Sequence, residues 1–190
     1  MNINEVPAVR RRSPRGQGKS KVIEAASGLF AEQGVSGTSL REIADRMGVT
    51  KAAVYHQFAS KEEIVLAVAE PVIARLQAIA DHADSLSPGP ALTATVEGLV
   101  DLALAERGTA AVIRRDPVMA RILDSHVPYS LQIARIDAHL LGHDPSVERR
   151  VAMAFAGGGI MALGALPDFD VLPEQLRAGL VSAMIRALAV

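Results

Sequence analysis

The sequence predicts an all-α protein of about nine helices, with a small three-helix N-terminal domain ahead of a larger helical one. Composition gives the first reason. Ala and Leu dominate a chain of 190 residues that is 49% hydrophobic, while aromatics make up only 3% and Trp is absent. Ala and Leu are strong helix formers, whereas aromatic and β-branched residues favour strands. Periodicity gives the second: from Gln17 onward apolar residues recur at spacings of three and four, and no stretch alternates convincingly. Helix-start and helix-stop residues at regular intervals give the third.

Residues 1–16, with Pro7, Pro14, Gly16 and an arginine cluster, carry too little apolar surface to order themselves and are expected to form a basic arm. The first helix places Val22, Ile23, Ala26, Leu29 and Phe30 on one face and stops at Gly34. The second opens at Ser39, with Glu42 completing a capping box, and buries Leu40, Ile43, Ala44 and Met47. Gly48 permits a turn and Thr50 caps a short third helix held by Val49, Val54 and Phe58. A fourth starts at Ser60 with a second capping box to Glu63 and a weak Ala59–Ile64 staple. It runs to about His82 through Ile64, Val68, Val72, Leu76 and Ile79, with a kink expected at Pro71. After the break Ser87-Pro88-Gly89-Pro90, helices are expected at about 91–106, 109–115, 117–125, 128–141, 145–165 and 173–189. Their breaks are Gly108, Asp116-Pro117, Val127-Pro128, Gly142 with Asp144-Pro145, and Leu166 through Pro173.

Charge is unevenly distributed. Residues 1–61 hold ten Lys/Arg against five acids, and the remainder ten against sixteen, so a basic third sits beside an acidic body. That asymmetry suits contact with an anionic polymer at one end. With no cysteine, neither a disulfide framework nor a thiolate metal site is available, which fits a reducing cytoplasm. The first residues hold no apolar leader. The uncharged stretch Val151 to Pro167 is short, rich in Gly and closed by Pro, and reads as a buried helix rather than a membrane span. The five His form no H-x-x-x-H pair, the triple glycine 157–159 lacks G-x-G-x-x-G spacing, and there is no Gly-x-Ser-x-Gly elbow. No enzyme activity, metal or cofactor is expected.

Residues 39–57 form a helix-turn-helix candidate. Ala44 is small enough for the second helix to cross closely, and the outer face then offers Thr50, Lys51, Ala52, Ala53, Tyr55, His56 and Gln57. Small side chains at Ala52 and Ala53 let a helix sink into a major groove, and an alanine methyl can touch a thymine methyl. Lys51 can reach a guanine edge or a phosphate, while Thr50, Tyr55, His56 and Lys61 can donate to phosphates. Ser39 and Arg41, at the start of the preceding helix, complete the candidate DNA-contacting set. A plain helical hairpin with Tyr55 and Phe58 in the core is the alternative reading of the same pattern.

The stretch Lys21 to Val65 resembles the DNA-binding domain of TetR-family transcriptional regulators. The matching positions are Ile23, Ala26, Leu29, Phe30, Gly34, Thr38, Ile43, Ala44, Gly48, Val49, Lys51, Tyr55, His56, Phe58, Ser60, Lys61 and Glu62. Met47 stands where a small residue is usual and Gln57 where His is frequent. The resemblance implies three parts: the arm, a DNA-binding domain over 17–63, and a ligand-binding and dimerisation domain over 64–190. It further implies a cytoplasmic, nucleoid-associated repressor whose partners are a palindromic DNA operator, a second copy of the chain and a small-molecule effector. An architectural or cell-division protein of the same fold, without a metabolite, is the alternative. The arm then either reaches a flanking minor groove or stays solvated.

Two further sites follow from that expectation. A four-helix dimer contact is expected from the small-residue stripe Ala154, Gly158 and Ala162 with Leu176, Leu180, Ala183, Met184 and Ala187 of the last helix; packing within one subunit is the alternative. Pocket candidates are polar or aromatic groups on apolar helices: Tyr129 and Gln132 beside Ile133 and Ile136, together with Thr93, His126, His139 and Phe155. So few polar side chains on 91–106 and 128–165 point to a lipophilic effector.

Overall fold

The computed structural model describes residues 17–106, 116–162 and 173–189. Among them lie nine α-helices and no strand: α1 Gln17–Gly37, α2 Leu40–Met47, α3 Lys51–Tyr55, α4 Lys61–Asp84, α5 Pro88–Ala105, α6 Pro117–Asp124, α7 Val127–Leu141, α8 Val147–Ala162 and α9 Pro173–Leu188. The basic arm, the helix expected at 109–115 and the break over residues 166–172 fall outside the described residues.

The N-terminal domain is built on local signals. Val22, Ala26, Leu29 and Phe30 of α1 are buried as the spacing requires, and Gly34 adopts φ +76°, which breaks the helix before a last turn to Gly37. In α2 both halves of the capping box form: Ser39 Oγ accepts from the Glu42 amide at 3.2 Å, and the Ser39 amide donates to Glu42 Oε2 at 2.7 Å. Gly48 takes the left-handed conformation, φ 66°, and its N–H satisfies carbonyls at the end of α2. Thr50 Oγ1 caps α3 by accepting from the Ala53 amide, and Ser60 Oγ caps α4 by accepting from the Glu63 amide. The expected second box differs in one bond: the Glu63 carboxylate reaches Ala59 N–H at 2.8 Å rather than that of Ser60. Ala59 is exposed and makes no staple, and Val49 is 39% exposed rather than a wedge for α3.

The spine of the molecule is α4. Its 24 residues span about 36 Å, packing on α1 at one end and on α5, α6 and α7 further along. The domain boundary expected after residue 63 therefore falls inside a helix, and Ile64, Val65 and Val68 belong to a core continuous with α1 and α3. Pro71 lies within this single helix on its exposed side. Around α4 and α5, α7 packs across both, and α9 bridges α5 and α8.

Two helix starts differ from the sequence reading. Instead of beginning at Ala91, α5 absorbs Pro88 into its first turn, where a residue without an N–H forfeits nothing. Rather than at Pro145, α8 begins at Val147: Ser146 accepts from the Arg149 amide at 3.1 Å and so takes the capping role expected of Asp144.

Candidate nucleic-acid interface and internal cavity

The outer face of α3 is free while its inner face is fixed. Val54 is fully buried and Phe58, just beyond the helix, is 6% exposed, whereas Thr50, Lys51, Ala52, Ala53, Tyr55 and His56 are exposed. Gln57 is half-buried and lies against Gly18, where an added Cβ would stand 3.0 Å from its side chain. The Lys51 ammonium sits 5.4 Å from the centroid of the Tyr55 ring, which pre-positions it over the helix surface. The hairpin alternative with Tyr55 in the core is excluded: that ring is 48% exposed.

Two of the three expected contacts outside α3 and its C-terminal end, Lys61 and Ser39, have other work. Lys61 donates from Nζ to the carbonyls of Val35 at 2.8 Å and Thr38 at 3.1 Å, closing the end of α1 against the start of α4. Ser39 is engaged in its capping box, which together with Gln33 holds the Glu42 carboxyl below its usual range. Arg41 is exposed and pairs at 3.9 Å with Asp45 on its own helix, so its guanidinium is available at the surface.

A residue the sequence presents only as a helix break ties the two domains together. Asp116, 7% exposed, caps α6 by accepting from the amides of Val118 at 2.9 Å and Met119 at 3.0 Å. Its other oxygen accepts from Val35 N–H at 2.6 Å, just beyond the Gly34 bend of α1. Burial pushes this carboxyl up, but the backbone donors of Met119, Val35, Val118 and Ser36 outweigh it and hold the group below its usual range. A Cβ at Gly34 would lie 2.7 Å from Asp116 Oδ2, so only glycine fits there. The Asp-Pro pair signals the cap; nothing local signals the partner 81 residues away.

Between α4, α5, α7, α8 and α9 lies a cavity of about 200 Å³. Val72 and Leu76 line it from α4, and Leu99, Leu102 and Ala103 from α5. Tyr129, Ile133, Ile136 and Asp137 enter from α7, Met153, Gly157 and Ile160 from α8, and Met184 from α9. Of the expected pocket residues, Tyr129, Ile133 and Ile136 are on this wall. Thr93, His126, Gln132, His139 and Phe155 are not: Thr93 bonds the Gly89 carbonyl, His126 occupies the N-cap position of α7, and buried Gln132 accepts from Arg135 at 2.6 Å. His139 lies 2.6 Å from Asp84, and Phe155 is 80% exposed. Ion pairs brace the outside of the chamber, Arg135 with Asp81 and Asp84 joining α7 to α4, and Arg177 with Asp101 joining α9 to α5.

The expected dimer residues divide. Ala154, Gly158 and Ala183 are exposed and Leu176, Leu180 and Ala187 half-buried, beside an open groove between α8 and α9 that Phe155 borders. Met184, in contrast, is 3% exposed within its own subunit and faces the cavity. The side chain of Ala162 lies outside the described residues. Among the described residues no helix is long and apolar enough to cross a membrane, and no three His, Cys, Asp or Glu gather as a metal site.

A short helix held by caps and core, its outer face free, is presented from a helical body with a cavity between its helices, which is a helix-turn-helix arrangement. Residues 22–68 match the family model described as bacterial regulatory proteins, tetR family. Over 47 residues it is 45% identical to the transcriptional repressor KstR2 of Mycobacterium tuberculosis, covering 25% of this chain and 24% of the relative. Over 57 residues it is 42% identical to the transcriptional activator FasR of Mycolicibacterium smegmatis, covering 30% of this chain and 26% of that protein. These matches span about a quarter of the length of the curated relatives. The fold extends much further: the solved structure of the ketosteroid transcriptional regulator KstR2 of Mycobacterium tuberculosis superposes with a TM-score of 0.64. That likeness covers 93% of this chain and 95% of that one at 19% identity. The named relatives are transcriptional regulators, not enzymes.

Proposed function

We propose that the chain is a DNA-binding transcriptional repressor that acts as a homodimer on a palindromic operator and is released by a small lipophilic effector. The observation that carries this reading is the exposed polar face of α3 on a helix whose opposite side is fully buried at Val54. Two copies related by a twofold axis would present two such helices to successive major grooves. The exposed small residues on α8 and α9 support a twofold contact there. The cavity supports a sensor over an architectural protein, because an apolar chamber between helices is where a small molecule gains most from leaving water. Cytoplasmic residence on the nucleoid follows from the same reading.

The test is selection of duplex bound by the full chain from genomic fragments, followed by titration against salt. The reading predicts an inverted-repeat site and an affinity that falls steeply with ionic strength as phosphate contacts release counterions. Binding without sequence preference at low salt would contradict it. Thermal-shift screening then separates effector classes, and stabilisation only by highly charged compounds would remove the lipophilic assignment.

A further inference from the structure

Among the described residues, the cavity wall is apolar except at two points, both on α7. Tyr129 and Asp137 stand eight residues apart, about 12 Å along the helix axis, with Ile133 and Ile136 between them. Asp137 differs from Asp84, Asp101 and Asp116. Asp84 is bonded by Arg135 and His139, Asp101 by Arg177, and Asp116 by four backbone amides, and all three carboxyls are held below their usual range. Asp137 is half-buried and pushed the other way by burial, with no hydrogen bond or cation among the described residues to offset it. No Lys, Arg or His is found among the described residues of the lining.

An acid facing an apolar chamber with no counter-ion among the described residues carries an unmet electrostatic demand. Three ligand classes answer it differently. An anionic ligand would meet a like charge, and a plain hydrocarbon would strip the carboxylate of water and offer nothing in return. A protonated amine brings opposite charge and N–H donors together, the stronger kind of hydrogen bond. Size narrows the choice further. An engineered cavity of about 150 Å³ takes a benzene ring, so about 200 Å³ suits one ring with a short chain.

We propose that this cavity takes a small lipophilic amine, its apolar body among Leu99, Leu102, Met153 and Ile160 and its ammonium group seated on the Asp137 carboxylate. The assignment rests on the reading of the cavity as the effector site and adds the chemistry of the ligand to it.

Isothermal titration of the full chain with phenylbutylamine, phenylbutanol and phenylbutyrate, which share one apolar body, tests it. The amine is expected to bind at least about tenfold more tightly than the alcohol, with the acid weakest. Asp137→Asn should bring the amine to within about threefold of the alcohol, while Asp137→Glu and Asp144→Asn, the latter in an exposed turn, keep the preference. Alcohol or acid binding as tightly as amine, or an amine preference that survives Asp137→Asn, overturns the proposal and leaves the cavity reading in place. If none of the probes binds, or if Gly157→Leu, which would fill the chamber, leaves alcohol binding unchanged, the cavity reading falls and takes the proposal with it.

Discussion

The two ends of this molecule are specified in different ways. In the DNA-binding domain each element is fixed by residues close in sequence: Ser39 with Glu42, Gly48, Thr50 with Ala53, Ser60 with Glu63. In the C-terminal helical body the decisive contacts join residues far apart, such as Asp116 with Val35, Arg135 with Asp84, and Gly98 with Ile79. The first arrangement makes a rigid reading head. The second makes a body held by contacts between distant helices, with Asp116 as a strut between the start of α6 and the bend in α1.

That contrast can be broken at specific residues. The largest effect is expected at the strut. Asp116→Ala removes a helix cap and leaves the Val35 amide buried without an acceptor, and should cost about 3 kcal/mol in urea unfolding. Because the Asp116 carboxyl is depressed in the folded chain, its contribution is complete above about pH 4, the unfolded value. It is lost as pH falls through the lower folded value. Asp116→Asn should therefore flatten the acid limb of the stability profile, and an unchanged limb would remove the strut from the account.

Next come two glycines in opposite settings. A Cβ on Gly98 would meet Ile79 Cγ1 at 2.7 Å, where α4 and α5 touch, so Gly98→Leu should destabilise the fold by about 2 kcal/mol. Gly158 has nothing within 4 Å of such a Cβ. Gly158→Leu should leave each subunit folded and convert the proposed dimer to a monomer by light scattering; a dimer that persists would place the twofold contact elsewhere. Thr50→Ala removes only a cap and should cost about 1 kcal/mol. Smallest in stability is Lys51→Ala, within about 0.5 kcal/mol on an exposed site. It should nonetheless weaken operator binding, and lower the salt slope by about 1 if Lys51 contacts a phosphate. The two readouts diverge only if α3 is a reading surface.

The same contrast explains what is legible in the sequence. Caps, turns and apolar spacing are local signals, so the helices of the N-terminal domain, the break at Gly34 and the exposed face of α3 can all be read directly. Periodicity also places Tyr129, Ile133 and Ile136 on one inward face, but it names a face and not its neighbour. Hence Phe155, a cavity candidate, stands 80% exposed, while Met184, a candidate for the dimer contact, is buried against the chamber. Lys61 reads as a phosphate donor, and only the tertiary fold puts the carbonyls of Val35 and Thr38 beside its ammonium. Asp137 and Gly98 give no sign of their roles, since each acquires one only when another helix arrives.

The account turns on whether the outward side of α3 meets a duplex, and Ala52→Glu addresses this most directly. Ala52 is exposed, and an acid in the first turn of a helix is tolerated or mildly stabilising, so the fold should be unaffected. Fluorescence anisotropy on the selected operator should show affinity reduced by at least about a hundredfold, with an unchanged melting temperature, because a charge repelled by phosphate now sits in the groove. Operator binding equal to that of the unmodified chain would contradict the account.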